Sequence, residues 1–262
     1  MRKTLNRFAI FATLASTLVI GTPIFAANVD DRIEATAKES YVFKTYLKND
    51  NIKMQAKDGI VTMTGTVSDN SHKSLAGETV AALPGVKGVE NNLQEKNAAP
   101  AAQSDAWLIT KVKATLLFHK NVNAVGTEVM AQDGTITLRG DAGSMAQKDL
   151  TGEYAKDVEG VKIVKNEMKV DLSAPITTNK NAVAQKMETV GEKIDDASIT
   201  ALVKGTLFNH RSTSALNTTV ETKDGVVTLG GKAKTAAEKD LAGKFAGDVT
   251  GVNKIVNNIS VI

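Results

Sequence analysis

The stretch Lys57-Asp58-Gly59-Ile60-Val61-Thr62-Met63-Thr64-Gly65 returns as Gln132-Asp133-Gly134-Thr135-Ile136-Thr137-Leu138-Arg139-Gly140. It returns again as Lys223-Asp224-Gly225-Val226-Val227-Thr228-Leu229-Gly230-Gly231. Asp-Gly between two β-prone runs specifies a tight hairpin, because glycine supplies the positive φ that a short turn needs. The Thr that follows (Thr62, Thr137, Thr228) and the apolar residue after it (Met63, Leu138, Leu229) give the second strand its alternation. The closing glycine (Gly65, Gly140, Gly231) either ends that strand or marks close backbone contact. A lone Asp-Gly decides little, but three in one frame mark an internal repeat.

Around the hairpins the three copies stack without a gap. Asp30, Asp105 and Asp196 each stand 29 residues before their turn glycine and read as helix N-caps. Leu108, Val112, Leu116 and Leu117 follow at helical spacing in the second copy, as do Ile199, Leu202, Val203 and Leu207 in the third. Ten residues after the turn glycine comes a second capping residue: Asp69, Ser144 or Thr235. Ser144 with Gln147, and Thr235 with Glu238, have the spacing of capping boxes. Each second helix carries a mid-helix glycine (Gly77, Gly152, Gly243), which costs roughly 1 kcal/mol relative to alanine. Its recurrence implies a packing reason, the helix lying close against the sheet. Each copy ends on Gly85-Val86, Gly160-Val161 or Gly251-Val252, followed by a β-prone run with a recurring Asn (Asn91, Asn166, Asn257).

The expected fold is therefore α+β: three tandem αββαβ domains, each a three-stranded mixed sheet with two helices on one face. They span residues 30–96, 105–172 and 195–262. Residues 97–104, with Ala98-Ala99-Pro100-Ala101-Ala102, read as a linker. Residues 173–194 form a longer one, in which Val183, Met187 and Val190 can lie on one amphipathic helix. Residues 1–26 read as a secretory signal peptide: Arg2, Lys3 and Arg7, an apolar run over residues 8–20, then Ile24-Phe25-Ala26 before the expected cleavage point. That run is shorter than the ~18–20 residues a spanning helix needs.

Composition narrows the function. Three of the 32 basic residues lie in the leader, leaving 29 basic against 29 acidic residues, without the basic surplus of a nucleic-acid binder. Cysteine is absent, which removes disulfides, thiol chemistry, Cys-ligated metals and a lipidated N-terminal cysteine. Only His72, His119 and His210 are available for imidazole chemistry. His119 and His210 share one repeat position, filled by Lys44 in the first copy, and read as cations at a helix C-terminus. No Gly-rich phosphate loop opens a helix. The reading is of a protein that is not an enzyme, with no metal, cofactor or small-molecule substrate.

The unit, with its Asp-Gly-x-Val-Thr-Leu-x-Gly hairpin and its Gly-Val-x-x-(Val/Ile)-x-Asn closing strand, resembles the BON domain (bacterial OsmY and nodulation). A leader ahead of repeated units looks like the osmotically inducible periplasmic proteins of Gram-negative bacteria. The resemblance implies a periplasmic, non-enzymatic envelope protein tied to stress, with phospholipid surfaces or periplasmic proteins as partners. It also implies that the recurring glycines, Gly59, Gly65, Gly77, Gly85, Gly134, Gly140, Gly152, Gly160, Gly225, Gly231, Gly243 and Gly251, are fold determinants.

The sharpest functional candidate is Trp107. Arg32 and Ser198 take its place in the other copies, so the position is expected to face solvent. With Lys111, Lys113, Phe118 and Lys120 it would form an aromatic–basic patch suited to an anionic membrane. The alternative partners are unfolded or exported client proteins, held weakly by several small domains.

Overall fold

The computed structural model describes residues 24–96, 102–170, 194–213 and 217–262. The expected leader, apart from Ile24-Phe25-Ala26, lies outside the described residues, as do most of the first linker and residues 173–193 of the second with their expected helix. Unit one comprises α1 (Ile24–Glu39), α2 (Tyr41–Thr45), β1 (Asn51–Lys57), β2 (Ile60–Val67), α3 (Asn70–Ala81) and β3 (Gly88–Glu95). Unit two has α4 (Asp105–Phe118), β4 (Thr127–Gln132), β5 (Thr135–Ala142), α5 (Met145–Lys156), β6 (Ile163–Asn166) and β7 (Lys169–Val170). Unit three has α6 (Asp196–Asn209), β8 (Asn217–Lys223), β9 (Val226–Ala233), α7 (Ala236–Gly247), β10 (Lys254–Asn257) and β11 (Ser260–Val261).

In every unit the hairpin is antiparallel and the last strand runs parallel to its second arm. That last strand is continuous in unit one and interrupted after Asn166 and Asn257 in the others. Val61, Met63 and Val67 are buried on one face of β2, while Ile60 and Thr64 on the other are exposed. The helices cover the buried face, as the alternation requires.

The turn of each hairpin is where its own unit is tied together. Asp58, Asp133 and Asp224 have φ of 55°, 52° and 52°, and the glycines after them are also positive, so both turn residues are left-handed. The carboxylate of Asp196 accepts the backbone N–H groups of Asp224 (2.8 Å) and Gly225 (2.9 Å). Asp105 does the same for Asp133 and Gly134 (3.0 and 3.2 Å), and Asp30 for Asp58 and Gly59 (2.8 and 2.9 Å). This corrects the N-cap reading of these aspartates. In units two and three the caps are Ser104 and Asp195, one residue earlier, which accept from Trp107 and Ser198. The second-helix caps stand where the sequence puts them, on Asp69, Ser144 and Thr235. Gln147 and Glu238 reach back to the N–H of Gly143 and Lys234, one residue beyond the cap.

The closing glycine is a close-approach residue, not a strand end, since β2, β5 and β9 run past it. A Cβ on Gly65, Gly140 or Gly231 would sit 2.0–2.1 Å from the carbonyl oxygen of Asn51, Gly126 or Asn217. All three glycines have φ between 115° and 124°, where side chains are rarely tolerated.

One contiguous apolar core runs through the three units. Unit one lies with α3 along α6 of unit three. The Asp195 carboxylate accepts Tyr41 N–H (2.7 Å), and Ser198 Oγ accepts Val42 N–H (3.0 Å). Tyr46 of unit one meets Phe118 of unit two edge-on, with ring centroids 5.8 Å apart.

Units two and three meet through their histidines. His119 and His210 stand at the C-terminal ends of α4 and α6, where the sequence reading puts a cation, and both are fully buried. Their Nε2 atoms are 2.8 Å apart. His119 Nδ1 lies 3.1 Å from Asp248 Oδ2 of unit three, and His210 Nδ1 lies 3.2 Å from Asp157 Oδ2 of unit two. Tyr154 stacks on His119 and Phe245 on His210, at centroid distances of 3.8 and 4.1 Å. Backbone bonds repeat the exchange: Lys120 N–H donates to Asp248 O (2.9 Å) and Arg211 N–H to Asp157 O (2.7 Å). The equivalence of the two repeats has become a pseudo-two-fold interface.

The mid-helix glycines have a specific cause. The Asn257 side chain donates from Nδ2 to Lys239 O (2.8 Å), and its Oδ1 accepts Ile259 N–H (3.3 Å). Asn91 and Asn166 make the same pairs of bonds. A Cβ on Gly77, Gly152 or Gly243 would stand 2.9 Å from the amide nitrogen of its Asn. Helix and third strand are thus joined by an asparagine that needs the glycine's empty space. Gly243→Ala is expected to destabilise the chain by ~1–3 kcal/mol despite alanine's better helix propensity, and Gly243→Val by more. In a Gly243→Ala/Asn257→Ala double variant the alanine at 243 is expected to cost nothing further, read by denaturant melts as a double-mutant cycle. Additive costs would place the clash elsewhere.

Candidate binding groove where the three units meet

A groove of about 330 Å³ opens between α3, α4 and α6. Its apolar lining is Leu75 from unit one, Trp107 and Phe118 from α4, and Ala201, Gly205 and Phe208 from α6. Asp69, Glu78 and Glu95 stand on the unit-one side. Trp107 and Lys111 are one helical turn apart on α4, so their side chains share a face.

Lys111 Nζ lies 5.3 Å from the Trp107 ring centroid and 5.0 Å from that of Phe208, within cation–π range of both. Burial holds its ammonium below the usual lysine range, partly offset by Glu159. Phe208 is 66% exposed, although it is one of the few aromatic residues of the chain. Trp107 is half-buried, packs on the core, and has its ring edge at the Gly160 turn. The stacked position does not face solvent throughout: Arg32 is exposed, but Ser198 is fully buried against unit one.

The five expected patch residues do not form one surface. Phe118 is 4% exposed, held between Tyr46 and Gly205, and offers the groove only part of its ring. Lys120 Nζ donates to Gly247 O (2.8 Å) and Val252 O (3.4 Å), so its charge is spent on the end of α7. Lys113 is exposed on another side of α4. Trp107 and Lys111 remain together, and Phe208 joins them from the neighbouring unit. The sequence carried a signal for Phe208: it falls opposite Ile199 on the helical wheel, off the apolar stripe of α6.

The groove is lined by apolar, carboxylate and lysine side chains. Its lining has no histidine; His119 and His210, next in sequence to Phe118 and Asn209, are enclosed and turned toward each other, and His72, next to Ser71, is held by Asp50. Among the described residues no group of three or more His, Cys, Asp or Glu could hold a metal ion. Among the same residues no helix is long and apolar enough to cross a membrane.

Comparison with known proteins agrees with this architecture. The osmotically-inducible protein Y of Escherichia coli K12 is 28% identical over 193 residues, covering 69% of this chain and 90% of that protein. A 21 kDa hemolysin of Actinobacillus pleuropneumoniae is 27% identical, covering 55% of this chain and 78% of its own. The outer membrane lipoprotein DolP of Haemophilus influenzae is 25% identical, covering 55% and 74%. The BON-domain profile matches residues 29–97, 104–171 and 195–262. Those three matches take in most of the chain, which therefore belongs to the BON-domain family and carries the domain three times in tandem.

Proposed function

We propose that this chain is a non-enzymatic periplasmic protein that supports envelope integrity under osmotic or envelope stress by binding phospholipid surfaces. The observation that carries the reading is Phe208, exposed beside Trp107 with the Lys111 ammonium between the two rings. Aromatic rings and ammonium groups partition together at the headgroup level of an anionic bilayer, where indole tolerates the interface and lysine meets phosphate. An osmotically inducible protein and an outer membrane lipoprotein among the relatives support the envelope setting. Export through the N-terminal leader belongs to the same proposal.

A second reading has its own observation. Asp69 and Glu95 rim one side of the aromatic groove, beside a Glu78 paired with Lys204 (2.7 Å), so an extended client segment with apolar and basic side chains would also find partners there. Vesicle co-sedimentation separates the two. Phe208→Ser and Trp107→Ser are each expected to lower binding to anionic vesicles about tenfold, the scale of losing one partly buried aromatic ring. Melts should show Phe208→Ser to be nearly neutral, because that ring is exposed. Binding should fall with salt, since headgroup attraction is screened over ~8–10 Å. Wild-type protein that ignores anionic vesicles but binds a basic, apolar peptide would favour the client-binding reading.

A further inference from the structure

The His119–His210 contact joins units two and three, and its proton count is constrained. Each Nδ1 stands 3.1 or 3.2 Å from a carboxylate oxygen of the opposite unit without hydrogen-bond alignment, a contact that attracts only where the nitrogen carries hydrogen. The two Nε2 atoms are 2.8 Å apart, which is a hydrogen bond if one of them carries hydrogen and a repulsion if neither or both do. Two neutral imidazoles hold two ring protons between them, but this arrangement needs three. We propose that units two and three are held by a clasp with one excess proton shared between His119 and His210, and that a second excess proton opens it.

The surroundings fit one positive charge and no more. Asp248 faces the pair from the end of α7 and also accepts the Tyr154 hydroxyl (2.6 Å) and the Asn121 amide. Asp157 faces it from the end of α5 and accepts Ser212 Oγ (2.6 Å). Tyr154 and Phe245 close the two ring faces. The charges beside the pair, Lys120 and Arg211, turn their backbone N–H groups to the carbonyls of the same two aspartates, and Arg211 Nε also lies 3.9 Å from the Asp157 carboxylate. With two carboxylates, one imidazolium leaves every ring nitrogen opposite a complementary atom. A second would set two N–H groups head to head in a site with no exposure to water.

The direction of the pH effect follows. Burial, opposed by Asp248 and reinforced by His210, holds His119 below the usual histidine range. Separated histidines titrate near ~6.5. Above that pH the closed pair holds one proton more than the separated units, so closure is tightest near that pH and also weakens as pH rises. Below it the separated units take up a proton that the closed pair resists, and closure weakens by up to about tenfold per pH unit. Asp157, held below its usual range chiefly by bonds from His210 and Ser212 that outweigh its burial, adds a second acid limb at lower pH with the same sign.

Because the chain lacks cysteine, Lys165→Cys in unit two and Lys254→Cys in unit three, both exposed, give a clean labelled pair. Energy transfer between the labels is expected to peak near about pH 6.5, to fall reversibly between about pH 6 and 4.5, and to fall again toward pH 8. In a His119→Gln/His210→Gln background the transfer between pH 7 and 5 is expected to be flat. Wild-type transfer that does not change, or that changes equally in the double variant, overturns the clasp. A measurement on the unaltered chain stands apart from any folding defect of that variant. Imidazole nitrogen NMR at pH 7 should find three ring N–H protons on the two histidines; two or four would overturn the proposal.

Discussion

In each unit one carboxylate joins the first helix to the hairpin turn, and the rest of the unit is arranged around that junction. Asp196 receives both N–H groups of the Asp224-Gly225 turn, which has no strand partner for them. The carbonyl of the same glycine accepts Asn253 N–H (2.9 Å), where the chain enters the third strand, as Gly59 does for Lys87 and Gly134 for Lys162. The turn is thus the point where helix, hairpin and third strand are all held. Bonds from backbone N–H to a charged acceptor are among the stronger ones in a protein. They also close a loop of almost thirty residues within a unit that runs over residues 195–262. With the turn fixed, the register of the hairpin is fixed, and the closing glycine and the asparagine–glycine contact fall into place.

Three such units, each small enough to be marginal alone, gain a shared core by joining through their helix ends. Unit one uses its backbone N–H groups at Tyr41 and Val42 against the cap of α6. Units two and three use side chains, exchanging histidine for aspartate in both directions. The first copy, with Lys44 at the histidine position, cannot take part in that exchange. The groove with Phe208 lies where all three units meet, so its shape depends on the interfaces as much as on any one domain.

The fold was legible in the sequence because its signals are local: Asp-Gly turns, capping residues and glycines repeating at fixed offsets. The aspartates before the first helix were legible as a repeat but not in role, since an N-cap and a first-turn residue differ by one position, and their partners lie almost thirty residues on. The mid-helix glycines were read as packing positions, and the structure supplies the asparagine that they accommodate. His119 and His210 were visible as equivalent positions. Their contact was not, because they lie 91 residues apart and meet only through the packing of whole units. Trp107 stood out by its rarity, whereas Phe208 beside it needed the juxtaposition of α4 and α6. Lys120 shows the limit of composition: a surface cation in sequence, it spends its charge on carbonyls of the next unit.

Amide hydrogen exchange on the full chain carrying Asp196→Ala tests the aspartate junction most directly. The account predicts that the amides of Asp224 and Gly225 lose protection and that β8, β9 and β10 open more readily with them. The expected cost is on the order of 1–3 kcal/mol, the penalty for removing a charged acceptor from two donors. Units one and two should keep their hairpin protection. Unchanged protection in the third hairpin, with fraying confined to the first turn of α6, would contradict the account, because it would return Asp196 to a purely helical role.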